Sequence, residues 1–222
     1  MINRSRIEAL QRDETARFVA ENPVSARHAD ARVRHWHEGV PFHWMRDWPS
    51  PFPLVVAQAQ GAQLTTVDGQ VLDDFCLGDT AAMFGHSPPP VAEAVARQAA
   101  IGFSYMLPTG EVELVGDLLA KRFGLPFWQV TTTASEANRA VIRWCRGITG
   151  RRRILVFNGC YHGAVDDAFV DLRDGRPETR QSLMGQVADV TATTTAIEFN
   201  DRAALEAALM SREIACVLAE PV

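Results

Sequence analysis

The sequence predicts an α/β protein whose main sheet is parallel. Three observations carry that expectation. From Pro88 onward, segments with helical spacing alternate with short β-rich runs, the pattern of βαβ units. Two apparent strand ends, at Thr131–Ser135 and Gly159–Gly163, carry small, hydroxylated or functional residues at the carboxyl edge where such sheets bind ligands. Finally, 47% hydrophobic and 22% charged residues among 222 supply enough apolar material for one substantial core, or for a large and a small lobe.

The first predicted helix runs from about Ile7 to Glu21 and closes at Asn22-Pro23. The stretch "HWHEGVPFHWMRDWPSPFP" follows, and its prolines forbid a long regular element. A folded-back arm burying Trp36, Trp44 and Trp48 is expected there. His35, His37 and His43 lie in or beside it without a carboxylate or cysteine at ligand spacing, so no metal site is expected. In "LVVAQAQGAQLTTVDGQVLDDFC", apolar and polar residues alternate about Asp68-Gly69, a β-hairpin signal. Residues 1–85 thus read as an arm and hairpin segment, and 86–222 as part of a larger domain.

In that second part, "PPPVAEAVARQAA" is a helix with its prolines at the tolerated start. "GEVELVGDLLAKRFG" is a second helix, ended by Gly124. "FWQVTTT" reads as a short buried strand. "SEANRAVIRWCRGITG" is a helix with Ala137, Val141, Ile142 and Cys145 on its apolar face. "RRILVFNG" and "TTAIEFN" are strands, "DRAALEAALM" is a helix with Asp201 at its head, and "IACVLAEPV" is a further strand. Residues 171–195 are polar and threonine-rich, and a long mobile loop is expected.

Several classes of function are excluded as expectations. A net charge of -5, with no basic run interleaved with aromatics, argues against a nucleic-acid partner. Arg151, Arg152 and Arg153 read as a solvated connection. No window of about 18 apolar residues exists, so no membrane partner is expected. The amphipathic, charged start lacks a signal-peptide core. The four cysteines are widely spaced, which suits reduced thiols in a cytoplasmic protein.

The joint before "SEANRAVIRW" suits an anion. The first amides of a helix have no internal acceptor, and the helix dipole adds positive potential there. Small side chains let a phosphate reach the backbone, so Thr133, Ala134 and Ser135 could hold one. Simple capping by Ser135 explains the same residues equally well. Tyr161 and His162, between Gly159 and Gly163, repeat the pattern at the next strand end. An aromatic there could stack on a planar group and a histidine could orient or relay protons. A buried tyrosine and a core histidine are the plainer alternatives.

Taken together, five stretches resemble the class III pyridoxal-phosphate-dependent aminotransferases, the group that includes glutamate-1-semialdehyde aminomutase. "GAQLTTVDGQVLDDFCLGDTAAMFGH" is similar to the family's hairpin and Gly-His turn, here Gly85-His86. "TTTASEANRAVIRWCRGITGRRRIL" resembles its phosphate loop and helix, and "FNGCYHGAVDD" its Tyr-His-Gly turn. "IEFNDRAALEAAL" and "IACVLAEPV" are similar to the strand-helix-strand that ends in Glu-Pro. The resemblance implies a fold type I structure and pyridoxal 5'-phosphate as cofactor. It places Thr133, Ala134 and Ser135 at the phosphate, Tyr161 on the pyridine ring, and His162 and Glu220 nearby. It gives Glu136 and Asn138 local structural roles, and Asp79 a position near the substrate. Ala134 stands where the family carries glycine, and its methyl is expected to crowd the phosphate.

The resemblance also implies a lysine that bonds the cofactor and an acidic partner for the ring nitrogen, both beyond Glu-Pro. The sequence holds one lysine, Lys121, which matches neither place. No catalytic residue of that kind is therefore assigned within the 222 residues. The chain is expected to be a fragment, inactive alone and a homodimer when complete, drawn from a transaminase acting on a small amine or amino acid. An aminomutase or decarboxylase on the same scaffold, and a non-catalytic cofactor-binding remnant, stand as alternatives.

Overall fold

The side chain of Asn3 accepts the amide of Arg6 at 3.1 Å and starts α1 (Arg4–Glu21). The computed structural model describes residues 3–220. It divides into two units, Met1–Leu107 and Pro108–Val222.

In the first unit, α1 gives way at Asn22 to α2 (Pro23–Arg32), whose proline takes the first helical position. Three strands follow, β1 (Val56–Gln60), β2 (Gln63–Thr66) and β3 (Val71–Asp73). They form an antiparallel sheet in that order, so the expected hairpin has a third strand. Asp68, at the β2–β3 turn, reaches back to α2. It accepts the Val24 amide at 2.7 Å, the Ser25 amide at 3.0 Å and the Ser25 hydroxyl at 2.5 Å. The hairpin turn thereby caps a helix more than forty residues earlier in the chain. Asp74 accepts the amides of Cys76 and Leu77 and lies 2.6 Å from His86 Nε2. The unit closes with α3 (Pro89–Ile101).

The tryptophans of the arm are not buried. Trp36, Trp44 and Trp48 are 51, 45 and 44% exposed. Phe42, Trp44 and Trp48 instead pack on one another, with ring centroids 5.6 Å apart in each neighbouring pair. Two short 3-10 turns, His37–Gly39 and His43–Asp47, are all the regular structure that the proline spacing permits there.

The second unit opens with α4 (Glu111–Phe123). Glu111 and Glu113 lie in its first turn and Lys121 and Arg122 in its last, each sign complementing the helix dipole. Gly124 closes it in the left-handed region at φ 71°. α5 (Ala134–Thr149) follows, then β4 (Arg153–Phe157), β5 (Val170–Arg173), β6 (Arg176–Thr179), β7 (Thr194–Ile197), α6 (Arg202–Met210) and β8 (Ile214–Val217). The main sheet is parallel in the order β7-β4-β8, as the alternating pattern predicts. Ile142 of α5, Ile154 and Val156 of β4, and Val165, Ala168, Val170 and Val190 form the larger apolar cluster. Leu155, Ile197 and Ile214 form a second. Asp201 accepts the Ala204 amide at 2.9 Å, the cap expected of it. All four cysteines are free thiols.

Two expectations change here. Residues 127–133 form no strand, and Phe127 is 90% exposed. A strand exists only where a neighbour completes its ladder, and none of the described residues does so. The polar stretch 171–195 is largely structured. Asp174 and Gly175, both at positive φ, turn β5 into β6. Val190–Ala192 forms a 3-10 turn capped by Asp189, and β7 begins at Thr194.

Candidate active site

The second unit brings the carboxyl end of β4, the segment after β8 and the head of α5 together. Thr133 is the helix N-cap, and its hydroxyl accepts the Glu136 amide at 3.2 Å. Capping by Ser135 is thus replaced by capping by Thr133, because the residue in extended conformation (φ -140°, ψ 154°) is the one before Ala134. The Glu136 carboxylate bonds back to the amide and hydroxyl of Thr132. The Thr132 hydroxyl, and then its amide, hold that carboxyl below the usual glutamate range. The amides of Thr133, Ala134 and Ser135 have no acceptor among the described residues. They are three donors in series at the positive end of a 16-residue helix.

Ser135 has a different task. Its hydroxyl oxygen accepts the Ala164 amide at 2.9 Å and ties the helix head to the loop after β4. Gly163 makes this approach possible. It lies at φ +82°, and a Cβ built there would stand 2.2 Å from Ser135 Oγ. Asn138, one turn along α5, donates to the His162 carbonyl at 3.0 Å. Glu136 and Asn138 therefore fill the local structural roles expected of them.

The loop presents unlike neighbours. Tyr161 is 65% exposed, with its ring free to meet a planar group. His162 is buried at 8% exposure, and its Nε2 has no partner among the described residues. Burial holds this imidazole below its usual pKa, with the Glu220 carboxylate opposing the shift and the Arg180 guanidinium adding to it. It is a neutral ring near pH 7, with an uncommitted nitrogen. Glu220 accepts the Tyr161 amide at 2.9 Å. Phe157, Asn158, Gly159, Cys160, Phe199 and Glu220 line a hollow of about 170 Å³ beside this contact. Burial also pushes up the Cys160 thiol, so it is a poor nucleophile.

Six of the seven expected site residues lie in this unit; Asp79 lies in the first. It is exposed, at φ 53°, in the turn between Cys76 and Ala82. Sequence reasoning missed Arg180. Nothing in its polar surroundings marks it until the β5–β6 hairpin places it against Asp171.

Residues 45–222 match the family described as aminotransferase class-III, which is more than half of the chain. The chain belongs to the class III aminotransferases. Glutamate-1-semialdehyde 2,1-aminomutase of Methanoculleus marisnigri is 38% identical over 175 residues, 78% of this chain and 42% of that protein. Among solved structures, a glutamate-1-semialdehyde aminomutase from Pseudomonas aeruginosa PAO1 superposes with a TM-score of 0.93 at 48% identity. That match covers 99% of this chain and 49% of the other. A lysine-to-alanine variant of the same enzyme was solved in complex with PMP. An omega-transaminase from Sphaerobacter thermophilus matches with a TM-score of 0.77 at 31% identity, over 89% of this chain and 47% of that one. The fold is that of the fold type I pyridoxal-phosphate enzymes. The chain spans about half the length of the relatives it matches.

The residues fit such a cofactor. The free amides of Thr133 to Ser135 suit a phosphate dianion. Ala134 is the first residue of α5, exposed, and needs no positive φ, so its backbone conformation suits alanine.

Proposed function

We propose that this chain forms the phosphate-binding portion of a pyridoxal-phosphate-dependent aminomutase, with residues 1–85 as arm and hairpin and 86–222 as part of the cofactor domain. The observation that carries it is the Ser135–Ala164 hydrogen bond at 2.9 Å, which fixes the loop of Tyr161 and His162 against a helix head with three free amides. Thr133, Ala134 and Ser135 would hold the phosphate and Tyr161 would cover the ring. His162 would offer its uncommitted Nε2, with Glu220 beside it. When bound, the pyridine ring supplies the electron sink on which amino-group chemistry depends. The chain's own part is to bind the anion, fix the ring plane and keep a neutral imidazole close by.

Aminomutase is preferred to the intermolecular transaminase expected from sequence. The relatives carrying that name are 34–38% identical, and the solved one reaches 48%, against 31% for the omega-transaminase. The substrate is then a small amino-aldehyde or amino acid, and Asp79 a candidate contact for its amino group. A homodimer in the cytoplasm completes the proposal. Apolar side chains as open as Phe75, Phe84 and Met106 are surface of the kind that protein–protein contact covers. Among the described residues, no helix is long and apolar enough to cross a membrane.

Pyridoxamine 5'-phosphate tests the binding, since it carries no aldehyde and needs no lysine. Calorimetric titration of the chain should show one site, weakened at least tenfold when Ser135→Val and Thr133→Val are combined. Equal affinity in the double variant would remove the phosphate assignment. For the reaction, a protein carrying this chain should convert glutamate 1-semialdehyde without an added keto acid. Strict dependence on a keto acid would restore the transaminase reading.

A further inference from the structure

The loop after β4 is held by side chains at four backbone atoms on three peptide groups, each side chain from a different position in the unit. Arg180 Nη2 donates to the Cys160 carbonyl at 2.9 Å, and Glu220 accepts the Tyr161 amide at 2.9 Å. Asn138 donates to the His162 carbonyl at 3.0 Å, and Ser135 accepts the Ala164 amide at 2.9 Å. A five-residue turn that is tied at four places cannot tilt freely. Such fixing is what an aromatic platform requires, because a misplaced ring loses stacking and orientation together.

Arg180 is the most strongly built of these ties. Its Nε and Nη2 grip Asp171 across the β5–β6 hairpin at 2.7–3.1 Å, and its guanidinium lies 5.3 Å from the centre of the Phe169 ring. Both members of the ion pair are about one-fifth exposed. A planar fork in this setting has few other orientations open to it. Its one remaining strong contact is the carbonyl that precedes Tyr161.

We propose that Arg180, oriented by Asp171, is a positioning residue that sets the loop carrying Tyr161 and His162. It touches neither cofactor nor substrate; it acts through the Cys160 peptide group. The proposal rests on the cofactor reading for its purpose but not for its test. Arg180 also faces His162 electrostatically, together with Glu220. One side chain therefore fixes the loop and helps keep its histidine neutral.

Three variants separate these effects in the free chain. Arg180→Lys keeps the charge and loses the fork, Arg180→Gln loses both, and Asp171→Asn frees the fork while keeping the cation. Amide exchange at Tyr161 should quicken about tenfold in all three, as expected when one charge-assisted tie is lost. The His162 titration, followed by NMR, should move upward in Arg180→Gln and stay nearly in place in Arg180→Lys. A purely structural tie would not produce that split. With pyridoxamine 5'-phosphate added, the phosphate should still bind while the circular-dichroism band of the ring changes. Unchanged Tyr161 exchange in Arg180→Lys and Asp171→Asn would overturn the positioning role, even if the cofactor binds. Absence of pyridoxamine phosphate binding to the unaltered chain would overturn the cofactor reading, whatever the exchange rates show.

Discussion

The two units are held by different forces. The second is built around apolar side chains with almost no exposure, among them Ile142, Ile154, Leu155, Val156, Val165 and Val170. In the first, the buried positions are Asn22, Ser25, Val40 and Thr66, mostly polar, with Gly39 beside them. Its order rests on carboxylates that bridge elements: Asp68 caps α2 and Asp74 pairs with His86. Apolar burial is roughly additive and does not depend on direction. A hydrogen-bonded carboxylate depends on geometry, and its loss leaves several donors unsatisfied at once. The second unit should therefore respond to volume changes, and the first to single polar substitutions.

The largest effect should follow from Ile142→Ala. Ile142 is 1% exposed and joins α5 to the sheet. Its truncation should cost about 2–5 kcal/mol in the second unit. Denaturant unfolding followed by amide exchange should show the loss in β4 and β7, with β1–β3 unchanged. An equal loss in both units would mean that their stabilities are coupled.

Gly163→Ala should be the next most damaging change. The new methyl would meet Ser135 Oγ at 2.2 Å, at a backbone angle of φ +82° that disfavours any side chain. A cost of roughly 1–3 kcal/mol is expected from strain and overpacking together. The Ser135–Ala164 tie should open as well, so pyridoxamine phosphate affinity should fall further than stability does. Pairing Gly163→Ala with Ser135→Gly should restore part of the stability, since the atom it strikes is then gone.

How much of this was legible in the sequence follows the same division. The parallel strands, α4, α5, α6 and the Asp201 cap could be read because apolar periodicity and end signals record local geometry. The alternating pattern places the two joints at one sheet edge, but not the close pairing of Ser135 with Gly163, since no periodicity links residues on two separate joints. The arm failed for a related reason. Trp36, Trp44 and Trp48 are large and apolar, and composition alone assigns them to a core, yet all three lie at the surface, where Trp44 and Trp48 pack on each other. Arg180 and Asp171 were invisible because a hairpin turned by Asp174-Gly175 lay inside a stretch that polarity marked as loop.

Asp68→Ala sharpens the contrast from the other side. The substitution removes three hydrogen bonds to the start of α2 without opening an apolar cavity. Exchange of the Val24 and Ser25 amides should rise sharply and α2 should part from the hairpin, while the second unit keeps its transition. Asp68→Asn should recover part of the loss, because its amide oxygen still accepts one amide.

Acid should separate the units by smaller steps. His162 is held neutral below its usual value near 6.5, with burial the leading cause. The unfolded chain binds that proton more readily, so this contribution is complete above about pH 6.5 and is lost as pH falls from there toward the folded-state pKa. Asp68 loses its contribution in the same direction, but at lower pH. Burial pushes its carboxyl up, but the Ser25 hydroxyl and the amides of Val24 and Ser25 outweigh this and hold it below the ordinary 3.8. For Asp74 the hydrogen bond from His86 leads, followed by the Leu77 amide. Their stabilisation is present above about pH 3.8 and disappears as pH drops through the lower folded values. Glu136 adds a similar loss to the second unit below its ordinary 4.5. A pH series of amide exchange should thus show β4 and α5 weakening first, as pH falls below about 6.5, with α2 and β2 steady until the carboxylates titrate. His162→Phe should flatten the first step, because it keeps a ring in the buried site and removes the proton-binding nitrogen. An unchanged early step in that variant would assign it to some other group.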